Sequence, residues 1–207
     1  MFPMLLITLL VACDAKKGAE ETDTDTTSVE ESTAENNESD QKEPVASPRK
    51  QAEGTLGEVQ VIVDYGSPAV KNREIWGGLE EYGVVWRAGA NETTSVAFNE
   101  DVVIGGEVVK AGKYGLYMIP KENEDWVVIL NTDWDREKHG AWGAYNYTPE
   151  NDVVRIEVTP EWAEENQERL EYVVVDDGID FAWEKARITI PVTPAEAETG
   201  SETESAE

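Results

Sequence analysis

Asp101-Val102-Val103-Ile104-Gly105-Gly106-Glu107-Val108-Val109 is two short β-branched runs held apart by two glycines. A Gly-Gly connection of this kind is a strong hairpin signal. The tight turns that match strand twist need positive φ, which glycine adopts without steric cost. The same pattern recurs on both sides. Toward the N-terminus, residues 94–98 read as a strand, as does Val84-Val85-Trp86-Arg87, which Ala88-Gly89-Ala90-Asn91 ends. Residues 58–65 place Val59, Val61, Val63 and Tyr65 on one face with period two, and Gly66-Ser67-Pro68 stops them. Toward the C-terminus, residues 114–119 run into Pro120, and a polar loop leads to Trp126-Val127-Val128-Ile129-Leu130. Residues 153–158, 170–175 and 186–192 follow. Only residues 161–169 predict a helix, with Pro160 just before them and Glu in the first turn. Helices long enough for parallel crossovers are absent. The expected fold class is all-β: an antiparallel β-sandwich or jelly-roll-like barrel of about eight or nine short strands, with one short helix near 161–169.

Composition divides the 207 residues into four stretches. Residues 1–12 are apolar and uncharged. Residues 13–54 are Cys13 and an acidic segment; from 14 to 54 there are 12 acidic and 5 basic residues and no aromatic ring. Such a segment buries too little apolar surface to offset its ordering entropy, so it reads as a disordered tether. Its random-coil span is on the order of 35 Å. Residues 55–194 hold all seven Trp and all seven Tyr, enough for one domain with one core. Residues 195–207, with five acids and no base, read as a disordered tail. The formal charge of −27 argues against a nucleic-acid partner, because phosphate backbones are held by clustered Lys and Arg. Strong acidity also suits solubility at high salt.

Residues 2–12 are too short to span a bilayer, which takes about 20 apolar residues, and they match the core of a signal peptide. They end Leu10-Val11-Ala12-Cys13, which resembles the lipobox of bacterial lipoproteins. That resemblance implies cleavage before Cys13 and acylation of its thiol. The absence of Lys or Arg before the apolar run departs from the signal-peptide pattern. The expected partner is therefore a membrane, reached through the lipid, and the expected location is the cell envelope. Asp14 directly after Cys13 resembles an inner-membrane retention signal in some bacteria. The long acidic run resembles a surface-export signal in others and favours the outer membrane, on either face.

The folded stretch has no thiol, one histidine (His139) and two serines, Ser67 and Ser95. This census excludes Cys-ligated metals and a cysteine nucleophile. It speaks against common zinc sites and a Ser-His-Asp triad. Asp133, Asp135 and Glu137 alternate like calcium ligands, but no EF-hand glycine and terminal glutamate follow in register. They read as a solvated acidic turn. No catalytic residue, metal or cofactor is expected. Glycan hydrolysis by two carboxylates stays open as an alternative, since acids are abundant. A purely structural envelope protein is another.

Two segments stand out as candidate ligand-binding sequence. In Trp86-Arg87-Ala88-Gly89-Ala90-Asn91-Glu92, an arginine sits among apolar and small residues, where backbone can approach closely. With Arg73 and Asn91, Arg87 is placed to grip an anionic or hydroxyl-rich ligand. A structural role, in which Arg87 pairs with Glu92 or Glu74, is the competing reading. The second segment is His139-Gly140-Ala141-Trp142-Gly143-Ala144-Tyr145, whose aromatics suit a platform on which sugars stack. The candidate residues are Arg73, Trp86, Arg87, Asn91, Glu92, His139, Trp142 and Tyr145. The expected ligand is a glycan or small metabolite, bound without catalysis.

Several strings together carry a family resemblance: Arg73-Glu74-Ile75-Trp76-Gly77-Gly78-Leu79, Tyr82-Gly83-Val84-Val85-Trp86-Arg87-Ala88-Gly89-Ala90-Asn91-Glu92, and Ala111-Gly112-Lys113-Tyr114-Gly115-Leu116-Tyr117-Met118-Ile119-Pro120. Trp142-Gly143-Ala144-Tyr145 and Trp183-Glu184-Lys185-Ala186-Arg187-Ile188-Thr189-Ile190-Pro191 add to them. Over residues 55–193 the chain resembles an exported bacterial family known as domain of unknown function 2911. The resemblance implies export and a single compact domain, with no activity or catalytic residues to carry over.

Overall fold

The computed structural model describes residues 46–195. Cys13, the segment before residue 46 and the tail after 195 lie outside them. Eleven strands form among the described residues: β1 (Arg49–Leu56), β2 (Val59–Gly66), β3 (Ser95–Phe98), β4 (Val102–Ile104), β5 (Glu107–Val109), β6 (Gly112–Ile119), β7 (Trp126–Asn131), β8 (Asp152–Val158), β9 (Glu161–Val175), β10 (Gly178–Pro191) and β11 (Thr193–Pro194). One α-helical turn, α1 (Arg136–His139), and one 3-10 turn (Pro149–Asn151) lie between β7 and β8. The strands assemble as a six-stranded sheet in the order β1-β2-β3-β6-β7-β8, a β9-β10 hairpin, and a small sheet β11-β4-β5. Every strand pair is antiparallel. The architecture is an all-β sandwich, with no closed barrel among the described residues.

Period-two patterning fixes which face turns inward. Val59, Val61, Val63 and Tyr65 of β2 are buried, and so are Val154, Ile156 and Val158 of β8. The quoted hairpin forms as read: Ile104 pairs with Glu107, and Gly105 and Gly106 have φ of 61° and 87°. The sandwich interior is rich in indoles. Trp76 reaches it from the connection between β2 and β3, with its ring 4.5 Å from Trp126, 5.5 Å from Trp183 and 5.7 Å from Trp86. Trp86 and Trp183 stack. Aromatic pairs in such tilted and offset arrangements add to the stabilisation from burial itself.

Three sequence expectations are corrected. Residues 161–169 are not a helix but the first part of β9. Their glutamates favour helix, but the segment has only Trp162 and Ala163 as apolar residues and so no helical face for the core. Pairing with β10 satisfies its backbone instead. The surplus is taken up irregularly: β9 runs from Glu171 back to Trp162 while β10 advances only from Ala182 to Ala186. Second, the fold takes in residues 49–54, which read as tether. They form an edge strand with mostly outward polar side chains, in which only Leu56 is fully buried. Third, residues 84–87 make no strand. Trp86 exchanges two backbone hydrogen bonds with Met118 at 2.7 and 2.9 Å, and positive φ at Gly83 and Ala88 turns the chain away on either side.

Candidate functional site

Two connections fold back over the outer face of the six-stranded sheet. Residues 88–94 cross the end of β2 at Gly66, where any Cβ would collide with the Ala90 carbonyl oxygen. Residues 132–148 cross β6 at Gly115, where a Cβ would lie 2.8 Å from the Asp133 carbonyl oxygen. Glycine at these two places lets backbone lie directly on the sheet. The second connection is pinned by side chains. Asn131 Nδ2 donates to Thr148 O and Asp152 Oδ1, Asn151 Nδ2 donates to Asp133 Oδ2, and Tyr147 Oη donates to the Asp152 carboxylate. The two connections meet where Thr93 Oγ1 donates to Gly143 O at 3.0 Å.

Between them lies a groove of about 150 Å³. Its sheet side presents Asp64 of β2, Ser95 of β3 and Lys113 of β6. Arg49, Glu92 and Thr93 border it on one side, and Trp134, Arg136 and Trp142 on the other. Arg49 donates to Asp64 Oδ1 at 2.6 Å and faces Glu92 at 3.7 Å. Lys113 Nζ stands 4.3 Å from the Trp134 ring centre, and the Arg136 guanidinium 4.6 Å from that of Trp142. Cations over indole faces are attracted by the ring quadrupole. Asp135 caps α1 by accepting from the N–H groups of Glu137 and Lys138. The Lys138 N–H is the chief cause that holds the Asp135 carboxyl below its ordinary range. Ser95 Oγ is buried with no hydrogen-bond partner. A hydroxyl in that condition costs stability unless something else bonds it.

The eight sequence candidates divide. Glu92 and Trp142 border the groove. Asn91 stands beside it, with φ of 65° and Nδ2 donating to Ser47 O. Arg87 lies just behind: a Cβ on Gly143 would meet its Nη1 at 2.8 Å and its Cδ at 2.9 Å. Arg87 forms no ion pair with Glu92 or Glu74. Its Nε is buried without a partner. His139 is exposed, and its Nδ1 accepts from the N–H groups of Trp134 and Asp135, bracing the loop. Tyr145 is 71 % exposed and turns outward. Arg73 bonds the Val70 and Ala69 carbonyls of its own turn, and Trp86 is buried in the core; neither borders the groove. Of the two serines, Ser67 donates to Leu170 O at 2.7 Å.

Several functional candidates escaped sequence reading. Lys113 and Arg136 carried no local signal; only the crossing of the two connections brings them together. Glu80 is another. Burial raises its carboxyl to about 7, against the opposing pull of Arg87, Arg73 and the Trp86 indole.

The fold and groove define an antiparallel β-sandwich domain with a small recess on one sheet face, lined by charges of both signs and flanked by indoles. Residues 47–192 match the sequence model of the protein of unknown function family DUF2911, and the chain belongs to that family. No curated protein and no solved structure matches the chain.

Proposed function

We propose that this protein is a non-catalytic binding module of the cell envelope, held at a membrane by lipid on Cys13, that takes a glycan or small metabolite into the groove. The supporting observation is that the two odd segments of sequence, around Arg87 and around Trp142, border one recess. There a buried hydroxyl lacks a partner, and two cations are held on indoles instead of on carboxylates. Carboxylates beside the groove are already engaged: Asp64 and Glu92 with Arg49, and Asp135 as a helix cap. That weighs against a hydrolase, which needs one free acid and one free base or nucleophile. The acidic run after Cys13 favours the outer membrane.

A thermal-shift screen of glycans and metabolites tests the reading. A ligand that raises Tm for the parent protein and not for Trp142→Ala, with the unliganded Tm of the two alike, supports it. A large loss of stability on Trp142→Ala, with no ligand in the screen, overturns it. Cys13→Ser moves the protein out of the membrane fraction if the anchor is correct.

A further inference from the structure

Resting on the binding reading, we infer that the groove selects a single carboxylate carried on a hydroxylated ring, as at the end of an acidic saccharide. Residues 55–194 hold 27 acids against 12 bases, so an average patch of this surface repels anions. The groove departs from that average. Its acids are satisfied within the protein, as described above. Lys113 and Arg136 are not: neither forms an ion pair among the described residues. Each rests on an indole, and the attraction to the ring holds the cation in place without consuming its N–H donors. Ser95 Oγ, on a residue only 1 % exposed, adds one unpartnered hydroxyl to the groove lining. A planar guanidinium, an ammonium and a hydroxyl around one small space match a compact oxyanion.

Size and surroundings narrow the class. The groove's 150 Å³ is below the roughly 300–1,000 Å³ of pockets for whole drug-sized ligands, so it admits one terminal group. Trp134 and Trp142, which carry the Lys113 and Arg136 cations, also line the recess and give apolar ring edge beside the space that a ring attached to that group would take. The acidic field of the domain favours a monoanion over a phosphate dianion.

Calorimetry on the acylated full-length protein in detergent tests this with D-glucuronate, D-glucose and D-glucose 6-phosphate. Glucuronate is expected to bind at least about tenfold more tightly than glucose, the scale of one charge-assisted hydrogen bond. It is also expected to bind more tightly than the phosphate ester. Arg136→Ala and Lys113→Ala should each remove about that factor while leaving Tm in place, and Lys113→Arg should retain it. Equal binding of glucuronate and glucose, abolished by Trp142→Ala but not by Arg136→Ala, overturns the carboxylate assignment and leaves the binding reading standing. Tighter binding of glucose 6-phosphate overturns it in favour of phosphate. If none of the three sugars binds and the wider screen is also blank, both readings fail.

Discussion

Gly143 has φ of 61°, and a Cβ there would press on Arg87 Nη1 and on the Asn91 carbonyl oxygen at 3.1 Å. Gly143→Ala therefore meets two penalties, a left-handed backbone and a displaced arginine. A loss of about 1–3 kcal/mol in urea unfolding, together with weakened ligand binding, is expected. Glu80 gives a pH test. Its carboxyl titrates near 7 in the folded chain, against an ordinary 4.5. Below 4.5 it is protonated in both states, and the folding advantage of the neutral form is fully present. As pH rises toward 7 the unfolded chain ionises first and that advantage is lost. Glu80→Gln should match the parent Tm near pH 4 and exceed it increasingly up to about pH 7, then hold a constant lead. Discounted for partial exposure, the lead is on the order of 1–2 kcal/mol. A lead that is the same at every pH would contradict it. Sequence reading could single out Arg87, because an arginine among apolar and small residues is locally odd. Glu80 and Glu81 are adjacent and chemically identical, and only the fold half-buries one and exposes the other.

Strands with clean alternation, such as β2 and β8, were legible because period two survives any tertiary arrangement. β10 was half legible for a definite reason. Its inward residues are Ile179, Phe181 and Trp183, then Ala186, Ile188 and Ile190, so the alternation slips by one at Glu184, where φ is 52°. A period-two template sees only the part after the slip. β9 was misread because helix-favouring glutamates fill the stretch that the irregular pairing leaves exposed. β1 was missed because an edge strand needs little apolar content. Its contact with β9 is nonetheless tight: a Cβ on Gly54 would lie 2.5 Å from Val174 Cβ. Gly54→Val is expected to cost about 1–3 kcal/mol by overpacking, read from the urea midpoint at unchanged slope.

At the scale of the whole molecule, charge and site pull in opposite directions. The folded stretch repels itself, while the proposed site draws in an anion. Raising NaCl from about 0.1 M to about 1 M should raise Tm by screening the first and weaken glucuronate binding by screening the second. A Tm that falls with salt would contradict the reading of the acidity as suited to high salt. Class and strand grammar were readable along the chain. The groove was not, because its borders come from β1, β2, β3, β6 and two connections that only folding brings together. Arg49, the first residue of β1, also clamps Asp64 and Glu92 at the groove's edge. The segment that leads back toward Cys13 thus joins the domain at the groove itself. Tension from the N-terminal side would load first the contacts of residues 46–49, among them Ser47 with Asn91, Pro48 with Ser67 and Arg49 with Asp64 and Glu92, making the site a mechanical weak point. Pulling from the N-terminal side in optical tweezers should release bound ligand at a lower force than it takes to unfold the sandwich.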